Sequence, residues 1–261
     1  MKYLFILLIS VIFISCTKYS NLYVTKPNSA KIADENYYVF ENDTVKITYS
    51  FWAEGGIMSY NFYNKLNIPI YIDWKKSSVI RNDQKSDYWA DEIKTKSQTK
   101  FSSFSYSSMY TGSFNLLSFG TNSSGIGFTN SYSVKPERIT FLAPLSNITR
   151  VQTVLYQKKP DQINGTIIKD KLTSINGKTQ IPVQYVDVNL ENSPLIFRNF
   201  ISISSTEQFE KESYIDNSFY ISRIYKIKRK YFDQISVTNS VTKKDELVVP
   251  LIDPKRFFIK L

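Results

Sequence analysis

The sequence contains no histidine and only one cysteine, Cys16. Without an imidazole there is no Ser-His-Asp or Cys-His arrangement, no histidine metal ligand and no side chain whose ordinary pKa lies near neutrality. A single cysteine cannot form a disulfide within the chain, so a hydrophobic core must hold the fold together. A zinc site would need carboxylate ligands alone. We therefore expect neither a metal nor a cofactor.

Phosphate-binding glycine loops are also missing. Gly177-Lys178-Thr179 matches the end of a nucleotide-binding P-loop, but Leu172 stands where its first glycine belongs. The segment beginning Gly125-Ile126-Gly127 has Asn130 in place of the third glycine of a dinucleotide turn. Neither segment predicts a nucleotide site.

Paired carboxylates are the one catalytic chemistry left open. Glycoside hydrolysis needs two carboxyl groups about 5–10 Å apart. Five acidic residues lie near each other in sequence: Asp73, Asp83, Asp87, Asp91 and Glu92. With 23 acidic residues in the chain, solvated loops explain such a grouping more simply. We expect a protein that binds rather than an enzyme.

A secretory signal peptide is predicted over residues 1–15. Lys2 gives a positive start, residues 3–14 are almost purely apolar, and Ser15 places a small residue before the cysteine. The apolar run is shorter than the roughly 20 residues of a membrane-spanning helix. This segment therefore lies outside the folded domain.

Phe13-Ile14-Ser15-Cys16 resembles the lipobox of the bacterial lipoprotein class. Ser15 and Cys16 fit the motif, whereas the class usually has Leu at the position of Phe13 and a small residue at that of Ile14. The resemblance implies cleavage before Cys16 and acyl chains, such as palmitate, on its thiol, which makes the membrane a partner. Thr17 is similar to the outer-membrane sorting pattern and implies a periplasm-facing outer-membrane lipoprotein. The alternative is a free cysteine beside a conventional cleavage site.

The formal charge of +10 bears on partners. A basic balance concerns attraction to anions and solubility rather than fold. In an exported protein the available anions are lipid headgroups, lipopolysaccharide phosphates and acidic glycans. Nucleic acid is not an expected partner.

Alternating apolar residues predict strands. Residues 45–51, 58–62 and 68–74 alternate in this way, and short turns join them into a predicted three-stranded meander. Pro69 argues for an edge strand or for the start of a strand. Residues 16–36 lack periodicity and predict a tether that carries the acylated cysteine. Ser86 could cap a short helix over residues 86–93.

Two Asn-Gly pairs, at 164–165 and 176–177, predict hairpin turns with a strand between them. Residues 181–190, 195–204 and 219–229 add three more strand candidates. Many short strands with intervening turns favour an all-β protein. We predict one β-sandwich domain over residues 37–261 with a long uncharged insertion. An immunoglobulin-like form is left open, although the Cys, Trp, Cys pattern is absent.

Tryptophans are candidate sugar-binding side chains. Trp74 shares the phase of the apolar residues of its strand, which predicts a core position. Trp52 has the opposite phase from the apolar residues of its strand. It is expected to face outward, or inward if both faces of that strand are buried. Trp89, in a polar stretch, is the best exposed candidate. Packing in a core or interface is the simpler explanation for all three.

Residues 101–134 contain no charged side chain. A disordered insertion, strands buried on both faces and a partner-binding loop are the three explanations. Frequent aromatics argue against disorder, and frequent serines argue against full burial. We predict a partly ordered surface excursion that binds through its aromatic side chains: Phe104, Tyr106, Tyr110, Phe114 and Phe119.

Basic residues are frequent near the end of the sequence. Lys226, Lys228 and Lys230 share one strand phase and predict a positive stripe, although lysines that protect an edge strand from aggregation are the simpler explanation. Separately, Asp43-Thr44-Val45 resembles the O-glycosylation site of some exported bacterial proteins, with Thr44 as the acceptor.

The sequence thus predicts a lipid-anchored accessory protein of the cell envelope that acts through contacts with a protein partner. The alternative is a glycan-binding or glycan-cleaving lipoprotein built around Trp89 and the nearby carboxylates.

Overall fold

A computed structural model describes residues 18–89, 102–111, 114–124, 137–156, 165–174, 177–232, 235–238, 245–248 and 251–261. The strands are β1 Tyr19–Pro27, β2 Ile32–Asp34, β3 Tyr38–Glu41, β4 Val45–Ser50, β5 Ile57–Asn64, β6 Ile70–Arg81, β7 Gln84–Asp87, β8 Ser102–Thr111, β9 Phe114–Ser124, β10 Ile139–Leu142, β11 Asn147–Val154, β12 Ile168–Thr173, β13 Gln180–Asp187, β14 Ile196–Ser204, β15 Glu212–Lys228, β16 Ile235–Thr238, β17 Asp245–Val248 and β18 Arg256–Lys260. A short 3₁₀ helix spans Arg229–Phe232. In these ranges no helix is long and apolar enough to cross a membrane.

Two antiparallel sheets make up the body of the protein. The larger, nine-stranded sheet runs β10-β6-β14-β15-β1-β18, with β7 paired to β6 and β13 linking β12 to β15. The second sheet has five strands in the order β11-β5-β4-β3-β2, and β8-β9 and β16-β17 form separate pairs. The all-β prediction is confirmed, and the arrangement is sandwich-like. The immunoglobulin-like form is not confirmed.

The main core receives side chains from both large sheets, and aromatic rings dominate its centre. Phe219 of β15 lies with its ring centroid 5.0 Å from that of Tyr49 and 5.0 Å from that of Phe51, and 5.5 Å from that of Phe197. Alternation on β4 and β5 places one phase of each strand in this core, as the sequence predicts.

Strand β6 confirms part of the prediction for residues 68–74. Ile70, Ile72 and Trp74 are buried, as their phase requires. Ile68 is 50% exposed and precedes the strand, so its assignment to the buried phase is wrong. Pro69 lies immediately before β6, where its missing N–H costs no ladder hydrogen bond.

The predicted meander is wrong in its third strand. β4 and β5 do pair as a hairpin, but the other neighbour of β5 is β11. β6 belongs to the larger sheet, between β10 and β14. Alternation with a period of two shows which face of a strand is buried. Each of the two sheets buries an apolar face in the core, so strands of either sheet show the same pattern, and the pattern does not tell which sheet a strand joins.

The predicted tether is also wrong beyond its first residues. β1 begins at Tyr19 and is hydrogen-bonded to β15 on one side and β18 on the other. Leu22 packs into a second apolar cluster, whereas the adjacent Tyr23 packs into the main core. Because β1 buries side chains on both faces, it shows no apolar alternation. The folded domain therefore starts about eighteen residues earlier than the predicted boundary at residue 37.

Other local predictions have mixed outcomes. Ser86 lies in β7 rather than at the start of a helix, and residues 90–93 lie outside the described part of the chain. The second Asn-Gly hairpin is confirmed: Gly177 has a φ of 71°, and β12 pairs with β13 around it. Strands β13, β14 and β15 confirm the three later candidates.

A buried polar network links the two large sheets. The Tyr49 hydroxyl of β4 accepts hydrogen bonds from Asn199 Nδ2 at 3.1 Å and Asn217 Nδ2 at 2.8 Å. The Tyr88 hydroxyl donates to Asn199 Oδ1 at 2.7 Å. Burial raises the pKa of Tyr49, which therefore stays protonated. Because the two asparagines lie on β14 and β15 and Tyr49 lies on β4, this hydroxyl joins the two large sheets.

We expect Tyr49→Phe to lower the free energy of unfolding by about 1–3 kcal/mol, since two buried amide groups lose their acceptor. Chemical denaturation of the variant and the wild type measures this difference. Tyr71→Phe is the matched control, because that tyrosine is only half-buried. Equal stability of Tyr49→Phe and the wild type would show that the network does not hold the two sheets together.

Candidate functional site

The three tryptophans do not form a sugar platform. Trp74 lies in the main core and Trp52 in the second cluster, 3% and 7% exposed. Trp89 is half-buried and packs against the main core, with Lys75 Nζ 5.7 Å from its ring centroid. Trp89 is therefore the most exposed of the three tryptophans, as the sequence predicts, but the structure favours the packing explanation for all three side chains.

The carboxylates near Trp89 have separate environments. Asp73 is buried and accepts hydrogen bonds from Arg138. Asp87 pairs with Lys85 on the surface, and Asp83 lies in a tight turn with a φ of 64°. Asp91 and Glu92 lie outside the described residues. Within the described chain, no group of three His, Cys, Asp or Glu residues could hold a metal ion.

The predicted lysine stripe is partly formed. Lys226 and Lys228 are exposed on the same face of β15, but Lys230 lies in the 3₁₀ helix and leaves the line. The explanation that Lys226 and Lys228 protect an edge strand is wrong, because β15 is not an edge strand: it pairs with β1 on one side and with β13 on the other. An interior strand needs no lysines against edge-to-edge pairing, so their presence needs another cause.

Neighbouring strands bring two more lysines to this face. Gln184 of β13 is paired with Lys169 of β12 on one side and with Lys226 of β15 on the other. Lys171 is opposite Pro182, two residues along the same strand β13. Directly paired residues of antiparallel strands point to the same side of a sheet. Four lysines from β12 and β15 therefore converge on one face.

These lysines line an open cleft of about 600 Å³, which we call the lysine cleft. Its lining residues come from four strands: Tyr19, Lys169, Asp170, Lys171, Pro182, Val183, Gln184, Lys226 and Lys228. Lys226 Nζ lies 5.0 Å from the ring centroid of Tyr19. Four ammonium groups face one carboxylate here, so the cleft is positive.

None of the four lysines has a carboxylate partner among the described residues. A second basic cleft, of about 500 Å³, differs from the lysine cleft in the pairing of its charges. There Lys76 pairs with Glu212 at 2.9 Å, and Lys85 and Arg138 also have acidic partners. Its positive charge is largely compensated, which leaves the lysine cleft as the better candidate site.

The sequence contains a signal for the lysine cleft. Lys169-Asp170-Lys171 and Lys226-Ile227-Lys228 are both Lys-x-Lys, the spacing that places two lysines on one face of a strand. Lys226 and Lys228 were predicted from the sequence as a stripe, whereas Lys169 and Lys171 were not. The link between them is the pairing of β12, β13 and β15, which connects residues more than forty positions apart.

Further basic residues adjoin the cleft at the start of β1. The Arg229 backbone N–H donates to the Lys18 carbonyl oxygen at 2.9 Å. Lys228 is opposite Tyr19 in the ladder between β15 and β1. Lys18, Arg229 and Lys230 therefore lie next to cleft residues along the chain, at the end of β1 that follows Cys16 and Thr17.

The uncharged segment contains the β8–β9 pair, which runs from Ser102↔Ser124 to Thr111↔Phe114 with a register shift between Met109 and Thr111. Its aromatic side chains lie outside what the structure describes, so their role in binding stays a prediction. Thr44 is half-buried in the turn before β4, where its backbone N–H donates to Asn42 Oδ1 at 2.9 Å. Its glycosylation also stays a prediction.

Comparison with known proteins adds no assignment to this geometry. No protein-family model, no curated protein and no solved structure matches the chain.

Proposed function

We propose that this protein is a lipid-anchored binding protein of the cell envelope and that the lysine cleft holds an anionic partner. Acyl chains on Cys16 attach it to the membrane, in our proposal the outer membrane with the domain in the periplasm. The observation that carries the proposal is the convergence of four exposed lysines, without carboxylate partners among the described residues, on one cleft.

The electrostatics of the cleft support binding of an anion. Like charges on one face repel each other, and partner strands that supply no compensating carboxylate leave that repulsion in place. A bound phosphate, sulfate or carboxylate group would offset it and accept charge-assisted hydrogen bonds from the ammonium groups. The unfavourable charge arrangement is therefore understandable as part of a binding site.

Binding, rather than catalysis, is the chemistry that these side chains offer. The lining residues include ammonium donors, one carboxylate and apolar surface from Pro182 and Val183. Ammonium groups on flexible stems act as point charges for phosphate-like groups. We therefore propose that the protein captures or positions an anionic molecule.

Tripolyphosphate is a suitable soluble probe of the cleft. We expect calorimetry on the detergent-solubilised protein to show binding that weakens as salt is raised. Replacing Lys226 and Lys228 together by Gln should cost about 1–2 kcal/mol of binding free energy, or roughly 5- to 30-fold in Kd, at 0.5–1 kcal/mol for each exposed charge pair.

The matched control is Lys26→Gln with Lys31→Gln, which removes the same charge from exposed positions outside the cleft. This control should bind tripolyphosphate almost as the wild type does. If both double variants lose the same affinity, the binding reflects net charge alone and the cleft is not a site.

A further inference from the structure

We propose that the anionic partner of the lysine cleft is the headgroup surface of the membrane that carries the anchor. In this arrangement the start of β1 faces the membrane, and the domain lies against lipid phosphates in a fixed orientation. The inference rests on the proposed function, because it uses both the acylated Cys16 and the cleft. It adds the identity of the partner and the orientation of the domain.

Covalent geometry keeps the anchor close to the cleft. Three peptide units separate Cys16 from Tyr19, so their Cα atoms are at most about 11 Å apart at 3.8 Å per unit. Tyr19 lines the lysine cleft. A tether of twenty residues would have let the domain move far from the membrane, but β1 occupies that part of the chain.

The start of β1 is fixed to the rest of the domain. Tyr19 is opposite Lys228 of β15, and the Tyr19 carbonyl oxygen accepts a hydrogen bond from the Leu261 backbone N–H at 3.2 Å. The Lys18 carbonyl oxygen accepts the bond from Arg229. The folded sheet thus fixes Tyr19 beside the cleft, and the covalent link limits its distance from Cys16, so acyl chains inserted in a bilayer would bring the cleft towards the bilayer surface.

The charge at this end of the sheet suits an anionic surface. Four basic side chains line the cleft, against one acidic side chain among its lining residues, Asp170: Lys169, Lys171, Lys226 and Lys228. Lys18, Arg229 and Lys230 are next to these residues along the chain. Attraction to anionic lipids falls off within a Debye length, about 8 Å at physiological salt. The short link from Cys16 lets the cleft come within that distance of the lipid phosphates.

Lipid phosphates therefore meet the cleft at a high local concentration, which a soluble anion lacks. The acyl chains supply the attachment. The lysines then fix which face of the domain meets the membrane. β1 is nine residues long, roughly 30 Å at 3.3 Å per residue, so Lys26 and Pro27 lie roughly that far along the strand from its anchored end.

Amine labelling of the acylated, full mature protein tests this orientation. The protein is reconstituted into vesicles of phosphatidylcholine alone or with about one third phosphatidylglycerol, and labelling of each lysine is followed by mass spectrometry. We expect Lys169, Lys171, Lys226 and Lys228 to be labelled about fivefold more slowly on the anionic vesicles, the factor that corresponds to the interaction of one surface lysine with anionic lipid. Lys26 and Lys31 should be labelled at the same rate on both, and high salt should remove the difference.

Equal labelling of the cleft lysines on both vesicles would overturn the proposed docking, as would equal slowing of Lys26 and Lys31. A parallel measurement in detergent with tripolyphosphate separates this inference from the function on which it rests. If tripolyphosphate protects the four cleft lysines and anionic vesicles do not, the anion site stands and its membrane partner is wrong. If neither protects them, both proposals are wrong.

Discussion

Phe219→Ala is expected to lower the free energy of unfolding by about 3–5 kcal/mol, the range for truncating a buried aromatic ring. The side chain is fully buried where the two large sheets meet. Its removal leaves a cavity bordered by four other aromatic rings, those of Tyr38, Tyr49, Phe51 and Phe197. Urea denaturation followed by tyrosine and tryptophan fluorescence measures the change.

Phe141→Ala deletes the same atoms from a ring that is 57% exposed and lies on β10. This control should change the free energy of unfolding by less than about 1 kcal/mol. If the two substitutions cost the same, the aromatic cluster is not the centre of the fold and the packing of the two sheets would have to be described differently.

The second large effect is expected at Asp73. This buried carboxylate accepts hydrogen bonds from Arg138 Nη2 at 2.7 Å and from the backbone N–H groups of Lys75 and Lys76 at 2.9 Å and 3.3 Å. It lies where the pairing of β6 with β14 is irregular. We expect Asp73→Ala to cost about 1.5–3 kcal/mol, the range for losing hydrogen bonds to a charged group, because the two backbone N–H groups lose their acceptor while the Arg138 side chain, 47% exposed, can turn to water.

The stability that Asp73 contributes should depend on pH. Burial by itself raises the pKa of this carboxyl, but the bonds from Arg138 and from the two backbone N–H groups outweigh it and lower the pKa below the ordinary value. Its contribution is therefore complete above the unfolded-state pKa of about 3.9 and is lost as the pH falls through the lower folded-state pKa.

Denaturation curves between neutral and acid pH check this sign. The wild type should lose more stability on acidification than Asp73→Ala, since the variant has no such carboxylate to protonate. An identical acid dependence of the two proteins would mean that Asp73 contributes little as an anion and that Arg138 is not its effective partner.

Much of the strand structure was predictable from alternation. Val45, Ile47 and Tyr49 on β4 and Ile70 and Ile72 on β6 are buried as their phase predicts. Each of these strands has one face in the core, and the period of two records that directly. Asn-Gly likewise predicted the β12–β13 hairpin, because Gly177 adopts the positive φ that the turn requires.

Two features of the fold were not readable from local pattern. β1 buries Ser20, Asn21 and Thr25 together with Leu22 and Tyr23. Its sequence therefore has the polar composition of an exposed segment, although the strand lies inside the sheet. The assignment of β6 to the larger sheet depends on pairing with β14, more than a hundred residues later in the chain. Such long-range pairing leaves no periodic trace in a single sequence.

The candidate site was predictable only in part, for the same reason. Lys226 and Lys228 were visible as a stripe because they lie on one strand. Lys169 and Lys171 joined them only through the pairings of β13 with its two neighbours. Trp89 looked exposed because its neighbours in sequence are polar, yet it packs against the core.

We propose that acyl chains on Cys16 hold this basic cleft at a membrane. The most direct test is the intact mass, with sequencing of the N-terminal peptide, of the protein purified from a bacterial envelope. We expect a mature chain that begins at Cys16 and carries a diacylglyceryl group on the thiol. A chain that retains residues 1–15, or one with an unmodified thiol at Cys16, would contradict it.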